Sequence, residues 1–302
     1  MITIPPYLKK GDTIGIVCPA GFMPAERAQT CIDVLQQWGY RVRVGKTLGN
    51  QHHYFSGTDE ERLADLQQML DDDSVQAVLC GRGGYGVSRI IDRIDFTRFR
   101  AKPKWVIGFS DITLLHTHIH TQLGIATLHA PMAGAFNDDA WQGPYVQSLR
   151  HALEGGRANY ACEAYPLNKT GIAAGELVGG NLSLLVHATG TTSALDTSGK
   201  ILFMEDIGEY LYNVDRMLLQ LKRSGALRNL AGLVVGGFTE MKDTVIPFGD
   251  TIENIIHSHL AEYDYPVCYH FPVSHGGDNY ALKSGGHYRL QVADGGVRLV
   301  EE

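Results

Sequence analysis

The chain has 302 residues, of which 44% are hydrophobic, and its 26 Lys and Arg against 33 Asp and Glu give a formal net charge of −7. At roughly 150 residues per domain this length suggests two domains, and the apolar content excludes a disordered chain. The acidic balance without a basic stripe argues against a nucleic-acid partner, and no stretch is apolar enough to predict a signal peptide or a membrane span.

The first half of the chain alternates short apolar runs with helical patterns. Strands are predicted over 12–19, 41–44, 75–80 and 105–107, and helices over 26–38, 58–70, 87–94 and the run after residue 110. Thr58 with Glu61 three residues later forms a capping-box signature, which marks the start of the second helix. Because such alternation is typical of a parallel sheet covered on both faces, we predict an α/β fold.

The pattern lapses between about 140 and 170, where one predicted helix is followed by polar, irregular sequence. It resumes with strands predicted over 201–204 and 230–235, helices over 214–223 and 251–262, and a hairpin with an Asp-Gly-Gly turn from Tyr288 onward. We therefore predict one domain over 1–150, a linker region over 151–170 and a second domain over 171–302.

The cysteines and clustered histidines predict neither disulfides nor a metal site. The odd number of cysteines, with no CxxC pair, indicates reduced, buried thiols in a cytoplasmic protein. They are Cys18, Cys31, Cys80, Cys162 and Cys268. In the segment HTHIH only His116 and His120 share a helix face, and no carboxylate completes a ligand set, so packing is favoured over metal binding.

Ser110 lies where a strand is predicted to turn sharply into a helix. The segment Gly108-Phe109-Ser110-Asp111 follows the apolar run 105–107 and precedes the helical pattern. A serine at this turn presents its hydroxyl at the carboxyl edge of the sheet, where the first helix amides stabilise negative charge. This predicts a nucleophile elbow, although the second glycine of G-x-S-x-G is absent. The alternative is that Ser110 or Asp111 is an ordinary helix N-cap.

A serine nucleophile needs a base and a carboxylate that orients the base. Glu205 ends the apolar strand predicted over 201–204, at an edge where sites collect in α/β sheets. His275 follows a strand-like run and precedes Gly276 and Gly277, although other histidines could serve. The order Ser110, Glu205, His275 is the order of α/β-hydrolase triads.

The glycine-rich segment 81–86 (GRGGYG) follows a predicted strand and formally contains the motif G-x-G-x-x-G. This motif is typical of a dinucleotide-binding site. Two observations argue against such a site. The segment follows the third predicted strand rather than the first, and no acidic residue lies at the end of the next strand, about 20 residues later. Its bare amides suit an oxyanion hole better. A tight turn with no function is the remaining alternative.

Four segments together resemble a known family, the LD-carboxypeptidases. They are VLCGRGGYGVSRI (78–90), VIGFSDIT (106–113), ELVGGNLSLL (176–185) and LFMEDIGEYLYNVDRMLLQL (202–221). These enzymes are serine peptidases of the muramoyltetrapeptide carboxypeptidase kind, and their relatives include the microcin C self-immunity peptidases. The resemblance extends over nearly the whole chain, and it is loosest around His275.

The resemblance implies a catalytic Ser110, Glu205 and His275, and an oxyanion hole formed by the backbone amides of Gly84 and Asp111. It implies a flavodoxin-like N-terminal domain that carries the serine and a partly barrel-like C-terminal domain that supplies the glutamate and the histidine. It also implies a homodimer, with no metal and no organic cofactor.

The activity that the resemblance implies is release of a C-terminal D-alanine from a peptidoglycan tetrapeptide during murein recycling. The partner is then a small peptide or muropeptide, and Arg82 is a candidate to bind its carboxylate, unless Arg82 only forms a surface salt bridge. The alternatives are a peptidase acting on peptidyl-nucleotides of the microcin C type, a nucleotide-dependent oxidoreductase that uses the glycine loop, and a noncatalytic binding module of the same fold.

Overall fold

The computed structural model describes residues 2–302, which divide into two compact units. The first unit contains the chain up to Gly156 together with Tyr280–Ser284, and the second contains Arg157–Asn279 and Gly285–Glu302. None of the helices in residues 2–302 combines the length and the apolar character that crossing a bilayer requires.

The first unit is built on a six-stranded sheet. Its strands are β1 (Thr13–Val17), β2 (Arg41–Val44), β3 (Ala77–Cys80), β4 (Trp105–Gly108), β5 (Thr127–His129) and β11 (Leu282–Ser284). Their order is β2-β1-β3-β4-β5-β11, with β1 to β5 parallel and β11 antiparallel to β5. The order of the five parallel strands is the flavodoxin-like one, which confirms the predicted fold class.

Helices accompany the parallel strands of this unit. They are α1 (Gln29–Gln37), α2 (Asp59–Asp71), α3 (Thr97–Ala101), α4 (Thr113–Leu123) and α5 (Pro144–Leu153). The predicted capping box at the start of α2 is confirmed, because the Thr58 side chain accepts from the Glu61 amide and the Glu61 carboxylate accepts from the Thr58 amide. The residues of β1, β3 and β4 are all buried, as expected for a sheet covered on both faces.

The predicted helix over 87–94 is wrong. The structure has two short 3-10 turns instead, Val87–Arg89 and Ile91–Arg93. Three of the residues in this stretch are β-branched isoleucines whose stiff side chains disfavour a helix, and all three are buried. The glycine loop therefore does not lead into an α-helix, whose N-terminus a dinucleotide site would require.

The second unit contains a seven-stranded mixed sheet. Its strands are β6 (Asn159–Cys162), β7 (Gly171–Asn181), β8 (Ile201–Ile207), β9 (Gly232–Thr239), β10 (Val267–Cys268), β12 (His287–Ala293) and β13 (Gly296–Glu301). The order is β10-β9-β8-β7-β12-β13-β6. Strands β7 to β10 are parallel and the remaining pairs are antiparallel. The predicted C-terminal hairpin is confirmed as β12 and β13.

Three helices belong to this unit: α6 (Leu182–Ala188), α7 (Leu211–Arg223) and α8 (Ile252–Leu260). Buried residues of these helices pack with residues of β7 to β10 in one hydrophobic core. The sequence pattern did not predict β6, β7 or α6. The glycines of β7 mask its strand character, yet a Cβ at Gly179 would lie 1.9 Å from the Phe203 carbonyl oxygen on β8, so this strand pair requires glycine there.

Candidate active site

Ser110 lies two residues after the end of β4, at the first position of a 3-10 turn, Ser110–Ile112, that leads into α4. Its φ is +63°, a left-handed conformation that is unfavourable for a residue with a Cβ and that recurs at functional sites. The N-cap residue of α4 is Ile112, so neither Ser110 nor Asp111 occupies the N-cap position that the alternative gave them. The backbone of Ser110 is that of a strained strand-to-helix turn, as predicted for a nucleophile elbow.

His116 supports the strand end that carries this turn. Its Nε2 lies 2.8 Å from the Gly108 carbonyl oxygen, and the Ala130 amide donates to the same oxygen. Burial lowers the pKa of His116 to about 4, so the ring is neutral and Nε2–H is the donor to this carbonyl. One histidine of the HTHIH segment thus holds the backbone two residues before Ser110.

The glycine loop after β3 contacts the Ser110 turn. Because β3 and β4 are adjacent and parallel, the segments that follow them emerge at the same edge of the sheet. A Cβ on Gly83 would lie 2.8 Å from the Ser110 Cβ and 3.3 Å from the Asp111 amide nitrogen. Only glycine fits there without displacing the serine. Gly84 has a φ of +99°, and within residues 2–302 its amide donates no hydrogen bond.

The Asp111 side chain makes a contact that the sequence pattern does not indicate. It is 1% exposed, and its Oδ2 accepts a hydrogen bond of 2.8 Å from the Val87 amide, at the end of the glycine loop. Burial raises the pKa of Asp111 to about 6, although the Val87 amide and the Arg62 guanidinium act in the opposite direction. Val87 lies 24 residues from Asp111, so no local signal could have revealed the contact.

Arg82 is exposed at the start of the loop, and its Nη1 donates to the Phe22 carbonyl oxygen at 2.6 Å. In the part of the chain that the structure describes, no carboxylate lies within ion-pair distance of Arg82, so the salt-bridge alternative is wrong. The guanidinium has five N–H donors, and the bond to Phe22 uses one of them.

Glu205 and His275 are brought together within the second unit. Glu205 lies on β8 with a fully buried side chain, and its Oε2 is 2.5 Å from the His275 Nδ1. Among the described residues the other oxygen, Oε1, has no hydrogen-bond partner, so the carboxylate acts on the imidazole alone. The bond fixes Nδ1 as the protonated nitrogen of the neutral ring and leaves Nε2 as the basic one.

Two opposing effects act on the pKa of His275. Burial lowers it, while the hydrogen bond to Glu205 and the negative charges of Glu205, Asp206 and Glu240 raise it. The net result is a pKa above the ordinary value of 6.5. The carboxylate therefore stabilises the imidazolium, as the orienting acid of a triad does.

Two glycines of β9 allow His275 to reach Glu205. The β8–β9 pairing shifts register between Met204 and Asp206, which places a bulge opposite Glu205. A Cβ on Gly236 would lie 2.2 Å from the Val273 carbonyl oxygen, and one on Gly237 would lie 2.5 Å from the Ser274 Cβ. The chain just before His275 therefore packs directly on the backbone of β9. Two glycines inside the strand pattern VVGGFT are the sequence signal for this close approach.

The loop that carries His275 is fixed by Ser274. This residue is 1% exposed, and its Oγ accepts from the Gly276 amide at 2.9 Å and donates to the Asp278 carboxylate at 2.7 Å. The side chain next to His275 therefore ties both sides of this loop together by hydrogen bonds.

Family models match both halves of the chain. The model of the LD-carboxypeptidase N-terminal domain matches residues 14–130, which include Ser110 and the glycine loop. The model of the LD-carboxypeptidase C-terminal domain matches residues 174–290, which include Glu205 and His275.

Curated relatives agree with the family models. The chain is 39% identical over 293 residues to a probable murein peptide carboxypeptidase of Bacillus subtilis, covering 96% of this chain and 92% of the relative. It is 30% identical over 281 residues to a murein tetrapeptide carboxypeptidase of Pseudomonas aeruginosa, covering 90% and 91%.

Solved structures share the fold. A muramoyltetrapeptide carboxypeptidase from Oxalobacter formigenes superposes with a TM-score of 0.87 at 30% identity, covering 96% of this chain and 98% of that one. The microcin C7 self immunity protein superposes with a TM-score of 0.86 at 20% identity, covering 100% and 99%, and at that identity the likeness concerns the fold alone.

Proposed function

Because the chain belongs to the LD-carboxypeptidase family, we propose that it releases the C-terminal D-alanine from a murein tetrapeptide with Ser110 as its nucleophile. The names of the relatives supply the substrate class. The observation that carries the serine mechanism is the strained backbone of Ser110, a non-glycine residue at φ +63° two residues after the end of a buried strand. The Glu205–His275 pair supplies the base that such a nucleophile needs.

Acylation follows from these groups. His275 accepts the Ser110 hydroxyl proton at Nε2, and Oγ attacks the carbonyl carbon of the residue that precedes D-alanine. The carbonyl oxygen becomes an oxyanion, for which the Gly84 and Asp111 amides are the proposed donors. Each such donor lowers the barrier by about 2.7–4 kcal/mol. The imidazolium then protonates the leaving nitrogen, the C–N bond breaks, and D-alanine departs from the acyl-enzyme.

Deacylation repeats the steps with water. His275 accepts a proton from the water, and the hydroxide attacks the ester carbonyl carbon. The bond between this carbon and the Ser110 oxygen then breaks, Ser110 regains its proton from the imidazolium, and the shortened peptide leaves with a free carboxyl group. Glu205 holds the ring through its hydrogen bond to Nδ1 and stabilises the charged ring. General base catalysis of this kind contributes about 10²–10⁴-fold in rate.

Arg82 is proposed to bind the free carboxylate of the terminal D-alanine. It is exposed next to the glycine loop, and only one of its donors is engaged by Phe22. A planar guanidinium pairs with a carboxylate through two parallel hydrogen bonds. If Arg82 has this role, Arg82→Ala raises KM for the tetrapeptide about tenfold or more, and an unchanged KM would refute it.

The test of the proposed function is release of D-alanine from a purified disaccharide-tetrapeptide. The wild type should release it, and Ser110→Ala should lower kcat by about 10⁶-fold. Equal release by both proteins would remove Ser110 from the chemistry. If neither protein releases D-alanine, an aminoacyl sulfamoyl nucleoside is tested next, and its cleavage by the wild type alone would favour the peptidyl-nucleotide substrate class.

We further propose that the protein works in the cytoplasm as a homodimer. The five cysteines form no disulfide in the described residues, and four of them are buried, which fits a reducing compartment. Light scattering at working concentration tests the dimer: a mass near twice 33.2 kDa is expected, and a monomer at all concentrations contradicts it.

A further inference from the structure

One peptide group of the glycine loop, between Gly86 and Val87, is held at both ends by buried charged side chains. The Gly86 carbonyl oxygen accepts a hydrogen bond of 2.9 Å from Nη1 of Arg62, on α2. The amide of the same peptide group, on Val87, donates to Oδ2 of Asp111 at 2.8 Å. The carbonyl end of the peptide dipole thus points at a cation and the amide end at an anion, which is the favourable orientation.

Arg62 has no exposure to solvent and is held by several groups. Its Nη1 also donates to the Pro19 carbonyl oxygen, and its Nη2 pairs with Asp59, both at 2.5 Å. Its guanidinium carbon lies 4.8 Å from the centre of the Phe55 ring. A buried charge remains in a fold only where partners replace its hydration, and here those partners include the glycine loop itself.

The contact between Arg62 and the loop depends on glycine. Gly86 has a φ of +147°, and a Cβ there would lie 2.6 Å from the Arg62 Nη1. On its other side the loop is tied at Gly83, whose carbonyl oxygen accepts from the Gly21 amide at 2.9 Å. Gly84 therefore lies between two fixed points.

We propose that Asp111 is a positioning residue: its carboxylate, together with Arg62, holds the Gly86–Val87 peptide so that the Gly84 amide keeps a fixed position relative to Ser110. One residue then serves the oxyanion hole twice, with its main-chain amide as a donor and with its side chain as the support of the other donor. This inference rests on the proposed function, because it concerns the oxyanion hole of the Ser110 reaction.

A purely structural role would give a different result from a positioning role. Asp65 offers the matched control, since it is a buried aspartate of the same unit. Its carboxylate accepts from the Lys46 and Thr47 amides at 3.0 and 2.8 Å, and none of its hydrogen bonds goes to the glycine loop. Asp65→Asn should lower the melting temperature yet leave kcat within about threefold of the wild type, at a temperature where all variants are folded.

The experiment compares Asp111→Ala and Asp111→Asn with that control. For Asp111→Ala we expect kcat for the tetrapeptide to fall by about 10²–10³-fold, the effect of losing one oxyanion donor, with KM within about threefold of the wild type. Asp111→Asn keeps an acceptor oxygen for the Val87 amide and should recover part of kcat. Hydrogen exchange of a peptide spanning 81–90 should be faster in Asp111→Ala than in Asp65→Asn.

A substrate-independent probe separates this inference from the proposed function. An alkyl fluorophosphonate phosphonylates a reactive serine: the Ser110 oxygen bonds to phosphorus, the P–F bond breaks, fluoride leaves, and the hydroxyl proton passes to His275. Labelling of the wild type with at least tenfold slower labelling of Asp111→Ala supports the inference. Labelling at equal rates, or unchanged exchange over 81–90, overturns it while the serine mechanism stands. A wild type that is not labelled at Ser110 overturns both.

Arg62→Lys covers the case in which Asp111→Ala does not fold. Lysine keeps the buried charge but has a single donor group in place of the planar fork that contacts Pro19, Gly86 and Asp59. The inference requires lower kcat at similar KM and faster exchange over 81–90. A folded Arg62→Lys with wild-type kcat contradicts it.

Discussion

Glu205 both orients the His275 ring and raises its pKa. Burial by itself lowers the pKa of an imidazole, but the neighbouring carboxylate reverses that effect in His275. Under the proposed mechanism, the hydrogen bond of 2.5 Å between Glu205 and His275 therefore sets the pH below which the base is protonated.

The pH dependence of kcat/KM should show this directly. A base must be neutral to accept the serine proton, so kcat/KM falls as pH decreases through the pKa of His275 in the free enzyme. Because that pKa is raised, the midpoint of the acid limb should lie above pH 6.5. A midpoint at or below 6.5 in a pH series of initial rates would contradict the assignment of His275 as the base.

Glu205→Gln should move this limb and lower the rate. The amide removes the charge and the accepted hydrogen bond that raise the pKa of His275, so the limb shifts to lower pH, and kcat drops by about 10⁴-fold through loss of the correct tautomer. Glu253→Gln is the control, because Glu253 pairs with the exposed His270 at 3.5 Å in the same unit. An acid limb that does not move in Glu205→Gln would argue against the pair.

Glycines in both units determine where the proposed catalytic side chains lie. In the first unit Gly83 lets the loop after β3 approach Ser110. In the second unit Gly236 and Gly237 let the chain before His275 pack on β9. In both cases a segment without side chains allows a neighbouring segment to approach closely.

Gly83→Ala should disable the enzyme without unfolding it. The new Cβ would lie 2.8 Å from the Ser110 Cβ, so either the loop or the serine must shift, and a misplacement of about 1 Å costs about 10²-fold in rate. Gly134→Ala provides the matched control, since a methyl group added there would have no atom within 4 Å. D-Alanine release by the two variants at equal folded fraction is the measurement, and equal rates would contradict the close approach.

Gly236→Ala should affect both stability and activity. Its Cβ would lie 2.2 Å from the Val273 carbonyl oxygen, a backbone atom that cannot rotate away, so we expect a loss of about 1–3 kcal/mol in the free energy of unfolding and displacement of His275. Gly295→Ala, in the open turn between β12 and β13, should change neither by a comparable amount. Denaturant titration and initial rates measure the two effects, and a stable, fully active Gly236→Ala would refute this packing.

Long, periodic elements could be predicted from the sequence, whereas elements shaped by distant contacts could not. Strands β1 to β4 of the first sheet and the hairpin of β12 and β13 follow from local patterns, whereas the short strands β5 and β11 were not predicted. The helix prediction over 87–94 was wrong because the Val87 amide donates to Asp111. This contact joins residues too far apart in the chain for a local pattern to show it. Strand β7 was missed because its glycines serve the approach to β8. For the site, residue types and strand ends indicated Ser110, Glu205 and His275, and the supporting side chains were found only in three dimensions.

Each unit of the whole molecule contains segments that are distant in sequence. The chain enters the second unit at Arg157, returns to the first at Tyr280–Ser284, and finishes in the second. The returning segment forms β11, which covers the edge of β5 that would otherwise be open. The first unit is therefore complete only when nearly the whole chain has been synthesised.

Leu282→Ala tests how much the first unit depends on this late segment. Leu282 is fully buried and pairs with His129 on β5, so we expect a loss of about 2–5 kcal/mol and faster hydrogen exchange in a peptide that covers β5. Leu299→Ala, an equally buried leucine of β13, should instead speed exchange in the second unit's hairpin. Unchanged exchange at β5 in Leu282→Ala would show that β11 is dispensable.

The left-handed backbone of Ser110 has a consequence for how this protein tolerates change. A non-glycine residue in that conformation costs about 1–3 kcal/mol, and glycine adopts it without the penalty. Selection for thermal stability alone would therefore favour glycine at position 110 over both serine and alanine. The protein would become more stable and would lose the proposed nucleophile. Under the proposed mechanism, selection for stability and selection for turnover therefore act in opposite directions at position 110.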